Sequence, residues 1–181
     1  MAGGKYDLTD HEGTFLSLVL RIQPATAYQV TKIYAESPVS NFNTSKGKIY
    51  PLIRRLVERG LLAKRQVPGD GRGAEELLCT ADGKKAVREW VGQIRPTHVL
   101  LDDPLRTKVQ SFALLSRDEQ VEWIVAAKQL LHAKLAELEA YRQEVDVPFK
   151  DFLHDNAVQS VRGRMDWLDR MLFAIMHGRE A

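Results

Sequence analysis

Eight cationic side chains, Lys46, Lys48, Arg54, Arg55, Arg59, Lys64, Arg65 and Arg72, fall between Thr44 and Arg72 against only Glu58 and Asp70, a local excess of six positive charges. The whole chain carries +2, so the rest is acidic and the positive charge is focused. Lysine and arginine gathered in this way do the chemistry of phosphate recognition: point charges and planar forks for phosphate oxygens and guanine edges. No other constellation competes. There is one cysteine, Cys79, which excludes an internal disulfide and a multi-cysteine metal site. The five histidines stand singly, so no metal or cofactor is expected. Gly69 to Gly73 lies between two predicted strands, which is wrong for a phosphate cradle that must open a helix, and no nucleophile elbow occurs, so an enzyme is not expected.

The elements that must carry these cations follow from capping and periodicity. Thr9-x-x-Glu12 is a capping box ahead of Phe15, Leu16, Val19, Leu20 and Ile22, which predicts a helix from Asp10 to Ile22 closed by Pro24. Thr26-x-x-Gln29 opens a second helix that ends before Pro38. A third runs from Thr44 or Ser45 to Arg59, with Gly60 suited to a left-handed C-terminal cap. Its buried stripe is Ile49, Leu52, Ile53 and Leu56; Gly47, Tyr50, Pro51, Arg54 and Glu58 face away, and Lys48 and Arg55 flank them. Pro51 predicts distortion of the first turns, since proline in a helix interior costs about 3 kcal/mol.

Leu61, Leu62 and Val67 continue as a strand, Pro68-Gly-Asp-Gly-Arg-Gly73 as a turn, and Glu75 to Cys79 as a returning strand. Thr80 and Asp82 cap a fourth helix whose apolar stripe is Ala86, Val87, Trp90, Val91 and Ile94. Pro96 to Pro104 is the expected boundary, separating a domain over residues 1–95 from one over 104–181. The second begins with a helix from Leu105 to Leu115. Ser116-x-x-Glu119 then starts a long helix to Val145, and a last helix follows Pro148. Val158, Val161, Met165, Leu168, Leu172 and Ile175, spaced by threes and fours, form a seam that needs a partner helix, either in a second copy or in the long neighbour from Arg117 to Val145.

The expected fold is mainly α with a small β-hairpin wing: a winged helix-turn-helix followed by a C-terminal helical dimerisation domain. Such a unit either reads double-stranded DNA or docks a protein. The cations on the outward face favour DNA, because a docking surface would carry aromatic and aliphatic anchors. Phosphate and base contacts are expected from Ser45, Lys46, Gly47, Lys48, Tyr50, Arg54 and Arg55, and from Arg72 at the wing tip. Solvation, or pairing of Arg59 with Glu58 or Glu36, is the plainer reading of the individual charges.

The run Ser45-Lys-Gly-Lys-Ile-Tyr-Pro51, followed by Arg55-Leu56, Gly60-Leu61-Leu62 and Thr80-x-x-Gly83, resembles the PadR-like transcriptional regulators. The resemblance implies a homodimeric, usually repressing, DNA-binding protein without a catalytic centre, with Tyr50 on a phosphate and Lys46, Lys48 and Arg54 at or near base edges. It permits a small-molecule effector, for which Trp90, Phe112, Trp123 and Trp167 are the aromatic candidates, although core or interface is the commoner role at such spacing. A two-fold dimer predicts a palindromic operator with half-sites about 10 base pairs apart. The N-terminus lacks an apolar leader and no stretch is long enough to span a membrane, so a cytoplasmic protein is expected.

Overall fold

The computed structural model describes residues 6–40, 45–66, 74–100 and 102–178. Two compact units divide the chain, Met1–Val99 and Leu100–Ala181. In the first, α1 (Asp10–Ile22) is followed by β1 (Ala25–Thr26), α2 (Ala27–Glu36), α3 (Lys46–Glu58), β2 (Leu62–Gln66), β3 (Glu75–Cys79) and α4 (Ala81–Val91). Thr9 and Glu12 close the capping box of α1, and Thr26 and Gln29 that of α2. Phe15, Leu16 and Val19 of α1, Val30 of α2, Ile49, Leu52, Ile53 and Leu56 of α3, and Leu77 of β3 meet in one core with Ala86 and Val87 of α4. The stripe of α3 is thus buried whole and that of α1 in large part, at about 1.5–3 kcal/mol per large side chain.

The sheet order is β1-β3-β2, antiparallel throughout, with Ala25 opposite Leu77 and Arg65 opposite Glu76. β1 escapes sequence reading because two residues carry no periodicity. Thr26 ends this strand and caps α2 at once. Gly60 takes a left-handed conformation, φ 71°, and turns the chain from α3 into the hairpin. Thr80 locks the other end of the hairpin: its hydroxyl donates to Gly60 O at 2.7 Å and accepts from Gly83 N at 2.9 Å. A Cβ on Gly83 would stand 2.1 Å from Leu61 O, so only glycine lets α4 begin against β2.

Two expectations need correction. The stripe on α4 stops at Trp90, because the helix ends at Val91; Val91 and Ile94 are largely exposed. The expected helix from Leu105 to Leu115 is instead α5 (Pro104–Val109) and a separate 3-10 turn at Phe112–Leu114. Leu114 is exposed, so the segment has no continuous face to bury. The turn is held by Gln120 Nε2, which donates to Phe112 O and Leu115 O. With Pro51 inside it α3 stays continuous, and in the first turn, where distortion was expected, Ser45 O accepts from both Lys48 N and Ile49 N.

In the second unit, α6 (Arg117–Glu144) and α7 (Lys150–Met176) run antiparallel. Ion pairs mark their alignment: Lys128 with Asp169, and Arg142 with Asp151 at 2.9 Å. Val158, Val161 and Leu168 are buried with Ile124, Ala127, Leu131 and Leu138 of α6, while Met165, Leu172 and Ile175 pack at the margin. The seam on the last helix thus finds its partner inside the chain. Asp103, which caps α5, also receives Arg164 of α7 at 2.9 Å. No helix among the described residues is long and apolar enough to cross a membrane.

Candidate nucleic-acid interface

The buried stripe of α3 fixes what its other face presents. With Ile49, Leu52, Ile53 and Leu56 at 2% exposure or less, Gly47, Lys48, Tyr50 and Arg54 must point outward, and all four are exposed. Ser45, immediately before the helix, is exposed too, and Lys46 is its first residue. A Cβ on Gly47 would meet nothing within 4 Å, so the chain's own packing gives no reason for glycine there. Arg54 lies 3.7 Å from Glu58 across one exposed helical turn, an interaction worth a few tenths of a kcal/mol that leaves the guanidinium free to move.

Other cations are turned away from this face. Arg55 directs Nε to within 3.6 Å of Glu12 Oε1, while Arg59 donates to Glu12 Oε2 at 3.1 Å and to Asp7 O at 2.8 Å. The expected partners of Arg59, Glu58 and Glu36, are replaced by Glu12. Burial pushes the Glu12 carboxyl upward, but the Thr9 amide, the charge of Arg59 and the Thr9 hydroxyl outweigh it and hold it below the usual range. His11 next door is pushed down by burial and by the charges of Lys48 and Arg55. The capping pattern revealed Glu12 as a helix start; its second role across 47 residues had no sequence signal.

The hairpin is less basic than the cation count implies. Lys64 pairs diagonally with Glu75 at 2.7 Å, and Arg65 pairs with the directly opposed Glu76 at 2.8 Å. Those two acids stand just beyond the window in which the cations cluster. Arg72 lies outside the described residues.

The aromatic candidates do not share one unit. Trp90 belongs to the first, where its Nε1 donates to Asp10 Oδ1 at 3.0 Å. Phe112 and Trp123 meet edge to face in the second, ring centres 4.8 Å apart, and Trp167 packs half-buried beside the α6–α7 core.

The surface so assembled is an exposed helix face bearing a small residue, a hydroxyl-tipped ring and exposed cations over a buried apolar stripe. It can enter a groove and contact phosphates and base edges. Residues 15–89 match the family model described as the transcriptional regulator PadR-like family. Among solved structures the chain is similar to Bacillus subtilis PadR in complex with operator DNA, with a TM-score of 0.77 and 22% identity over 91% of this chain and 98% of that one. It is also similar to the same protein in complex with p-coumaric acid, TM-score 0.73 and 20% identity over 91% and 97%. The PadR-like regulator BC1756 from Bacillus cereus gives TM-score 0.73 and 17% identity over 96% and 99%. At these identities the likeness is one of fold. No curated protein matches the sequence.

Proposed function

We propose that this chain, whose residues 15–89 match the family model of the PadR-like transcriptional regulators, is a sequence-specific DNA-binding repressor acting as a homodimer on a palindromic operator. The observation that carries this reading is the outward face of α3, where Gly47, Lys48, Tyr50 and Arg54 are exposed over a fully buried stripe. In this reading Gly47 lets the helix approach the groove, Tyr50 donates its hydroxyl to a phosphate, and Lys48 and Arg54 reach base edges. Lys46 joins Lys48 and Arg54 at or near the base edges, Ser45 is a further contact at the start of the helix, and Arg72 is a backbone or minor-groove contact by its place in the sequence.

The homodimer draws support from the second unit. Leu130 of α6, Phe152, Leu153, Phe173 and Met176 of α7, and Phe149 just before it, are all more than half exposed, more large apolar surface than two helices leave open without a partner. We assign that surface to a second copy, with Val158, Val161, Met165, Leu168, Leu172 and Ile175 forming the layer beneath it. A two-fold axis would then present two α3 helices to half-sites about 10 base pairs apart.

A small aromatic effector that releases the operator completes the reading. It is supported by the likeness to a regulator solved with p-coumaric acid and by the aromatic pair Phe112–Trp123 with Trp167 in the same unit. Any such ligand must bind the competent and incompetent dimers unequally.

The test is binding of the full chain to duplexes selected from a random library, and to the DNA upstream of its own gene, at two salt concentrations with random competitor. Tight, competitor-resistant binding that weakens steeply with salt is expected. Absence of binding even at low salt would overturn the proposal and leave protein docking as the use of the winged unit.

A further inference from the structure

Glu12 is the one polar or charged side chain of the buried class among the described residues, at 6% exposure. Its carboxylate is fully engaged. Oε2 accepts from Thr9 N at 3.1 Å, closing the capping box of α1, and from Arg59 Nη1 at 3.1 Å; Oε1 lies 3.6 Å from Arg55 Nε. Arg59 also donates to Asp7 O, so the residue that ends α3 is tied both to Glu12 in the first turn of α1 and to the chain just before that helix. Arg55 is held at one end only. About half of its side chain is exposed, and it sits beside Arg54 on the flank of the outward face, so its guanidinium can reach either Glu12 or a phosphate lying along α3.

We propose that Glu12 is a positioning residue for DNA recognition: it fixes the orientation in which α3 is presented and keeps the charge of Arg55 turned inward, which lowers affinity for duplexes in general and raises discrimination among them. This inference rests on the DNA-binding reading above. Its physical basis is the difference between two kinds of contact. A phosphate contact adds affinity for every sequence and appears as counterion release, with a slope near −0.9 per phosphate in log K against log salt. A base contact adds affinity for one sequence and requires the helix to be placed to a fraction of an ångström. Holding Arg55 on Glu12 removes one contact of the first kind and stiffens the support for the second.

The experiment uses the full chain, a duplex selected by it from a random library, and a random duplex of equal length. Glu12→Gln keeps an oxygen for the Thr9 amide, since glutamine also completes a capping box, and removes the charge that holds the two arginines. The expected result is several-fold tighter binding to the random duplex at low salt, a slope steeper by about 0.9, and a selected-to-random ratio roughly tenfold lower. Adding Arg55→Gln to that variant should remove the extra slope. Equal weakening on both duplexes with an unchanged slope would reduce Glu12 to a folding role and overturn the inference, as would no change in ratio or slope. If Glu12→Gln does not fold, Arg55→Gln alone decides: an unchanged slope on the random duplex supports the inference, and a slope shallower by about 0.9 overturns it, because Arg55 would then already be on phosphate. Failure of the unaltered chain to bind any duplex in a salt-dependent way would instead overturn the DNA reading, and this inference with it.

Discussion

Trp90 lies across the backbone of α1 at Gly13, so close that a Cβ there would stand 2.3 Å from ring carbons Cδ2 and Cε2. The same indole donates to Asp10, one turn earlier on α1. Gly13→Ala adds a better helix former, a gain of up to about 1 kcal/mol, but forces the indole off its seat. Overpacking of this kind costs about 1–3 kcal/mol, so a lower urea midpoint with altered tryptophan emission is expected. A midpoint at or above that of the unaltered chain would show that the ring yields freely.

Gly47 offers a separation of folding from binding. Since a methyl there meets nothing in the chain, Gly47→Ala should leave the thermal midpoint unchanged or slightly raised. Affinity for the selected duplex should nevertheless fall at least tenfold if α3 enters a groove at that residue, a loss of about 1.4 kcal/mol. Retained affinity would move the groove contact elsewhere on the helix.

Arg54 is loosely paired and outward, as a base reader must be before it meets DNA. Arg54→Ala should reduce discrimination at one base position by about 1–3 kcal/mol, read by repeating the duplex selection with the variant. An unchanged consensus would remove it from the reading face.

Glu12 also predicts a pH dependence. Its folded carboxyl titrates below the ordinary glutamate value of 4.5, so the unfolded chain binds the proton more readily. The stabilisation is therefore fully present above that value and is lost as pH falls through the lower folded one. Urea midpoints of the unaltered chain and of Glu12→Gln should differ at pH 7 and converge in acid. A gap that stays constant down to pH 3 would mean that the carboxylate contributes nothing by its charge.

Leu168 and Phe152 should fail in different ways. Leu168 is fully buried between α6 and α7, so Leu168→Asp should unfold the second unit, seen as lost helical signal. Phe152 is 76% exposed, so Phe152→Ser with Leu153→Ser should keep the helices and yield monomers by light scattering. Dimers that survive this pair would place the interface on another surface.

Most of the winged unit was legible in the sequence because its signals are local. Capping boxes at Thr9 and Thr26, the stripe on α3 and the glycine at 60 each act within a few residues. What escaped was set by contacts across long separations. β1 exists only because Leu77 and Glu76 pair with it, and Arg59 chose Glu12 over acids on its own or a neighbouring helix. The charge of the hairpin was overestimated for a similar reason: Glu75 and Glu76 come back beside Lys64 and Arg65 only when the strands pair. Of the candidate interface, the outward placement of Lys48, Tyr50 and Arg54 followed from helical phase; the inward turn of Arg55 did not, since it depends on a carboxylate brought in by α1.

The junction at Thr26 has no slack. Ala25 and Thr26 pair with β3, and the helix begins at the next residue. One residue inserted there would have to slip the strand, reversing which side chain faces inward, or turn α2 by about 100° and carry Val30 out of the core. Length variation among natural or engineered versions of this chain should therefore be strongly depleted at residues 24–27.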